Sequence, residues 1–332
     1  MKLDPAVVKL LSLDPSNTSV SSYGGGGMSS ASTSKITTKL NDGTEMSFFM
    51  KTGKSKDAEI MFQGEHASLN AIHAAVPSLC PQSFGWGHFS SSPSTFFLVT
   101  DFLHLSPSSS SSSTNPPPSL AAKLAKLHTI PAPIPEGYST PQFGFLVPTC
   151  CGDTPQDNTF SSSWADFYAN SRLRFILARC EAARGADREL NRLVEDTAGG
   201  VVPRLLGEGH LSDGKGRSIK PVVVHGDLWS GNKSRGRVGE KGEVQDLVYD
   251  PSSCYAHSEY ELGIMKMFGG FGGSFLKEYH GLCPKSEPVE EYEDRVKLYE
   301  LYHHLNHYAL FGGSYRGGAV GIMERLVGKY GR

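Results

Sequence analysis

The chain has 332 residues, 38 % of them hydrophobic, and a formal net charge of −2. That length exceeds one minimal core and suits two lobes, while so small a charge gives no field favouring nucleic acid or an anionic membrane surface. No apolar run is long enough to span a bilayer, and Met1-Lys2-Leu3-Asp4-Pro5 lacks the apolar stretch of a leader, so a cytoplasmic protein without membrane or nucleic-acid partners is expected, as a monomer or weak homodimer.

Asp4-Pro5 ahead of Ala6, Val7, Val8, Leu10 and Leu11 predicts a short capped helix. A glycine run, Gly24-Gly25-Gly26-Gly27-Met28, precedes the alternating strand Ser34 to Leu40. Asn41-Asp42-Gly43 then supplies a hairpin turn, and Met46 to Met50 returns as a strand ending at Lys51. Residues 57–75 have helical period, and strands are predicted near 83–89 and at Phe96 to Thr100. The Ser/Pro stretch 106–119 cannot bury apolar surface and predicts a disordered loop. Leu120 to His128 resumes a helix, and the remainder is mainly helical except for a strand–loop–strand around 221–250 and an exposed loop over 207–220. This order predicts an α+β, bilobal, protein-kinase-like fold, with a small β-rich lobe over 1–103 and a larger helical lobe over 104–332. The six cysteines form no Cys-x-x-Cys pair, so reduced, buried thiols are expected, with vicinal Cys150-Cys151 the one pair worth a redox test.

The most informative stretch is Val222-Val223-Val224-His225-Gly226-Asp227-Leu228-Trp229-Ser230-Gly231-Asn232. An apolar strand runs into a loop carrying an aspartate, and an asparagine follows five residues later. That is the spacing of a kinase catalytic loop, in which the aspartate accepts a hydroxyl proton and the asparagine holds magnesium. Phosphoryl transfer also needs an anion cradle, a cation on the nucleotide phosphates and a second metal ligand. Gly24 to Gly27 with Met28 are the cradle candidates. Lys51 is the cation, with Glu65 on the next helix placed to orient it. Asp250, after an apolar strand end, is the second ligand, whereas Asp246 starts that strand. Carboxylate and amide oxygens suit Mg²⁺. The short run from Asp250 to the next helix leaves no room for a long activation loop, and no Ala-Pro-Glu follows. Phosphorylation switching is therefore not expected, and a compact acceptor fits.

Three segments give the chain a close likeness to a known family. His-Gly-Asp-Leu-Trp-Ser-Gly-Asn (225–232), Tyr-Asp-Pro-Ser-Ser-Cys-Tyr-Ala-His-Ser-Glu-Tyr-Glu-Leu (249–262) and Met267-Phe268-Gly269-Gly270-Phe271 resemble the fructosamine/ketosamine 3-kinases, as do Gly64 to Leu69, Thr149-Cys150-Cys151-Gly152 and Leu305-Asn306-His307-Tyr308. The resemblance implies ATP- and Mg²⁺-dependent phosphorylation of the 3-hydroxyl of a ketosamine, ribulosamine ahead of fructosamine, on glycated proteins or small amines, leading to deglycation. It implies Asp227 as base, Asn232 and Asp250 as metal ligands, and Lys51 with Glu65 on the phosphates. It further implies Thr100, Asp101, Phe102 and Leu103 as the hinge meeting adenine. Trp229 is the best candidate for a wall against the sugar, with His307 a second. Met28 stands where many relatives carry a cysteine after the glycines, so their disulfide dimer switch is not expected here. The alternatives are an aminoglycoside- or choline-type kinase, sharing the His-Gly-Asp loop, and an inactive kinase-like binding module.

Overall fold

The computed structural model describes residues 2–24, 31–40, 42–106 and 116–331. Two compact units emerge. One comprises 1–123, 147–155 and 231–252, the other 124–146, 156–230 and 253–332. The expected linear split at 103/104 differs from this division for a physical reason. The strand Lys233–Val238 pairs with Leu103–Leu105, and Gly64 lies directly against Pro148, so two later segments fold with the first part of the chain.

In the first unit, helix α1 (Pro5–Leu11) is capped by the Asp4 carboxylate, which accepts from the Ala6 N–H at 2.9 Å. Strands β1 (Thr18–Ser22), β2 (Ser32–Lys39), β3 (Glu45–Lys54), β4 (Ser83–His88) and β5 (Thr95–Asp101) form an antiparallel sheet in the order β1-β2-β3-β5-β4. Helix α2 (Lys56–Ala75) connects β3 to β4. Side chains alternate across a strand, and β3 uses both faces. Phe48 and Met50 join Val7, Ile36, Phe97 and Val99 in a core under α1. On the opposite face, a Cβ at Gly53 would come within 2.7 Å of Ala58 in α2. Lys51 shares that second face, the one that meets α2. The strand was expected to end at Lys51 but runs on to Lys54, since its ladders with β2 and β5 continue past it. A short strand β6 (Leu103–Leu105) follows β5 and joins the hairpin Lys233–Val238/Gln245–Val248 in a second antiparallel sheet. Asn41 of the expected turn, residues 25–28 of the glycine run and residues 107–115 of the Ser/Pro stretch lie outside the described residues.

Helix α3 (Leu120–Thr129) carries the chain from the first unit into the second. The second unit is mainly helical. Its central helix, Tyr292–Phe311, buries Leu298, Tyr299, Leu301 and Leu305, and Arg295 on it forms a buried ion pair with Glu259 at 2.7 Å. The strand Val222–Val224 pairs antiparallel with Cys254–Ala256. The loop over 207–220 contains no helix or strand. All six cysteines are free thiols, five buried and Cys150 half-buried. No helix among the described residues is long and apolar enough to cross a membrane.

Candidate active site

In the first unit the expected residues converge on one ammonium group. Lys51 Nζ donates to both carboxylate oxygens of Glu65 at 2.8 Å and to Asp250 Oδ1 at 2.7 Å. Strand β3 supplies the lysine and the third turn of α2 the glutamate. Burial opposes the charge on Lys51, but Asp250 and Glu65 more than offset it and hold the ammonium protonated beyond the usual lysine range. Burial pushes the Glu65 carboxyl above its ordinary value against the pull of Lys51, and the Asp250 charge adds to the rise. The Asp250 side chain is half exposed, at 51 %, so this arm of the cluster is open to ligand.

The hairpin explains how Asn232 and Asp250 meet. Lys233 pairs with Val248 at its open end, and the Tyr249 N–H donates to the Asn232 carbonyl at 3.1 Å. The two candidate ligands are therefore neighbours just beyond the last paired residues, and Asn232 Nδ2 lies 3.5 Å from the Asp250 carbonyl oxygen. Asp250 has φ +55°, left-handed backbone that only glycine, asparagine and aspartate adopt readily. Such strain persists where its surroundings impose it. Asp246 has a different role: its carboxylate accepts from the Leu120 N–H at the start of α3.

The donors fit magnesium. No group of three or more His, Cys, Asp or Glu that could hold a metal occurs among the described residues. A carboxylate and an amide beside the Lys51 ammonium suit a hard cation that takes its remaining ligands from phosphate and water.

At the expected hinge, β5 ends at Asp101, and the Phe102 carbonyl accepts from the Gly239 N–H at 2.9 Å. Leu103 pairs with Val238, and Thr100 is buried. Tyr23 packs edge-on against Phe102 at 4.8 Å, and Lys35 Nζ lies 4.5 Å above the Phe102 ring. Gly24, next to Tyr23, has φ +68°. The start of the glycine run and the hinge are thus joined by side-chain packing. Gly25, Gly26, Gly27 and Met28 lie outside the described residues.

The second unit holds Asp227, in a loop whose backbone is braced from behind. Glu261 accepts from the His225 N–H and, at 2.9 Å, from the Gly226 N–H. His128 Nε2 lies 3.5 Å from the same carboxylate. Burial works against a Glu261 charge, yet His128 and the His225 N–H hold its carboxyl below the usual range. Gly226 takes φ +81° to turn the loop, and the Trp229 N–H donates back to the Asp227 carbonyl. Trp229 packs on Phe268 at 5.9 Å between ring centroids, and Phe268 on His307 at 5.0 Å. His307 Nδ1 donates to the His303 carbonyl at 2.8 Å, as expected of helix packing.

Glu261 and Phe268 were present in the sequence motifs but had no role assigned. The signals for them are a glutamate set directly before the run Leu262 to Met265 and a phenylalanine beside two glycines at a helix end.

The chain is similar to known proteins over nearly its whole length. The family described as fructosamine kinase matches residues 11–329. A mouse protein named ketosamine-3-kinase is 33 % identical over 84 % of this chain and 87 % of its own length. A rice (japonica) protein named protein-ribulosamine 3-kinase, chloroplastic, is 34 % identical over 92 % of this chain and 78 % of its own. The crystal structure described as a putative fructosamine-3-kinase from Thermobifida fusca superposes with a TM-score of 0.71 at 23 % identity, covering 98 % of this chain and 99 % of that one.

Proposed function

The chain belongs to the fructosamine kinase family, and from that premise we propose that it transfers the γ-phosphoryl group of ATP to the 3-hydroxyl of a ketosamine, ribulosamine ahead of fructosamine, on a glycated protein or amine. The observation that carries the reading is the Lys51 ammonium shared between Glu65 and Asp250, with Asn232 beside Asp250.

In this reading the C3 oxygen attacks the γ-phosphorus as its bond to the bridging oxygen breaks. ADP leaves with the bonding electrons, and the hydroxyl proton passes to the Asp227 carboxylate. An ordinary carboxylate pKa suffices, since the proton moves late. Lys51, held protonated and aimed by Glu65, orients the nucleotide phosphates. Asn232 and Asp250 would hold Mg²⁺, which would neutralise charge on the nucleotide phosphates. Glu261 fixes the loop backbone so that Asp227 is not free to swing.

The product has a built-in fate. A phosphate on C3 is expelled once the C1–C2 unit enolises, and water then releases the amine from the dicarbonyl sugar fragment. Deglycation follows from a single phosphoryl transfer.

The test is an assay of the purified protein with ATP and Mg²⁺ on ribulose-lysine, fructose-lysine, choline and an aminoglycoside, with the new phosphate mapped by NMR. Phosphate on C3 of a ketosamine, with ribulose-lysine turned over faster, is the expected result. Phosphate on another hydroxyl, or transfer to choline or the aminoglycoside instead, would sink the proposal.

A further inference from the structure

Phosphoryl transfer as described above uses no aromatic ring, yet a line of five partly accessible rings starts two residues from Asp227. The Trp229 ring centroid lies 5.9 Å from Phe268, and Phe268 lies 5.0 Å from His307. His307 stands 5.1 Å from Tyr315 and 5.6 Å from Phe311. Phe268 is 38 % exposed and Phe311 51 %, while Trp229, His307 and Tyr315 are half-buried. The rings come from the Asp227 loop, the last turn of Glu261–Phe268, the end of Tyr292–Phe311 and the first residue of Tyr315–Tyr330. Single exposed phenylalanines need no explanation. A continuous line from a catalytic loop does, because contiguous apolar surface marks binding.

Backbone packing fixes the start of the line. Gly270 has φ +86°, and a Cβ there would sit 2.5 Å from the Ser230 Cβ. Only a glycine lets the chain just after Phe268 approach the residue after Trp229 so closely.

The chemistry of the acceptor suggests an occupant. A ketosamine differs from the free ketose by a secondary amine on C1, protonated near neutral pH, two carbons from the C3 hydroxyl. Aromatic faces attract such a cation, and they pack against the methylenes beyond it. Burial holds the His307 imidazole below its usual range, so the ring is neutral and does not repel a cation. Neighbouring cations are already engaged. Lys266 lies 3.7 Å from Glu293, Arg316 binds Asp187 and Glu189, and Arg184 donates to the Tyr308 and Leu310 carbonyls.

Resting on the kinase reading above, we propose that Phe268, with Trp229 and His307, receives the protonated C1 amine of the ketosamine, and that Phe311 and Tyr315 carry its alkyl substituent. The ring line thereby selects sugars joined to an alkyl amine over free ketoses and makes Phe268 a specificity-determining residue.

The experiment compares kcat/KM for a 1-alkylamino ketose with that for its 1-O-alkyl isostere, which has the same shape without the charge. The wild-type protein should favour the amine by about tenfold. Phe268→Leu, which keeps an apolar side chain but loses the π face, should bring the ratio within about twofold of unity, while Phe268→Tyr should retain it. A wild-type ratio near one, or an unchanged ratio in Phe268→Leu, overturns the inference and leaves the kinase reading standing. If neither compound is phosphorylated by the wild-type protein, the kinase reading fails and takes this one with it. Should Phe268→Leu not fold, alkyl length decides: kcat/KM should rise from methyl to butyl amines in the wild type and stay flat in Phe311→Leu, and equal slopes would overturn the inference.

Discussion

The proposed mechanism gives Asp227 and Lys51 different work, so replacing them should fail in different ways. In that mechanism Asp227 would accept a proton that leaves late, and its loss would remove a base and a hydroxyl-orienting group without touching the nucleotide phosphates. Asp227→Asn is expected to lower kcat by about 10²–10⁴-fold while ATP binding, read by calorimetry, persists; turnover at the wild-type rate would remove Asp227 from the mechanism. Lys51 is built in more deeply, since it neutralises Glu65 and Asp250 together. Both residues stand out as candidates in the sequence because phosphoryl transfer demands particular residue types at particular spacings. Glu261 was not legible as a brace, because a buried glutamate has meaning only once the N–H groups that it receives are known.

At the scale of elements, α2 is the part on which the lysine depends. Its position is set at Gly64, one residue before Glu65, where a Cβ would come within 2.6 Å of the Pro148 carbonyl oxygen and 2.9 Å of the Thr149 Cα. Backbone atoms cannot rotate away as a side chain can. Gly64→Ala should therefore displace the helix, cost about 1–3 kcal/mol of stability and lower kcat several-fold by drawing Glu65 away from Lys51. Denaturant unfolding and steady-state assays test this; a variant with wild-type stability and rate would show that the contact is not limiting. Existence and type of β2, β3, β4, β5, α1 and α2 followed from period, caps and turn residues. The strand Leu103–Leu105 did not, being three residues long and made by its partner hairpin rather than by its own pattern.

For the molecule as a whole, buried neutral groups set how stability responds to acid. His257 Nδ1 lies 2.8 Å from the Tyr299 hydroxyl, which receives Trp164 Nε1–H at 2.8 Å, and His257 Nε2 lies 2.8 Å from Ser286 Oγ, so both ring nitrogens of the neutral imidazole have hydrogen-bond partners. Burial pulls this imidazole down to about 4 from 6.5. The unfolded chain therefore binds the extra proton between those values. Stability from this group is complete above about pH 6.5 and is lost as the pH falls toward 4, by about 3 kcal/mol. His257→Gln removes the titration, so the stability difference between wild type and variant should narrow by about that amount from pH 7 to pH 4. Parallel pH profiles in denaturant unfolding would contradict it.

The sequence by itself determined the order of elements, the family and the residue types proposed here for phosphoryl transfer, because those depend on local period and on spacings within single loops. Tertiary structure alone decided that Lys51 binds Glu65 and Asp250 at once, that the hairpin sets Asn232 beside Asp250, and that five rings from four separate segments form one line. Each of these joins residues from distant parts of the chain, and such contacts are fixed by packing and strand register, which no local pattern encodes.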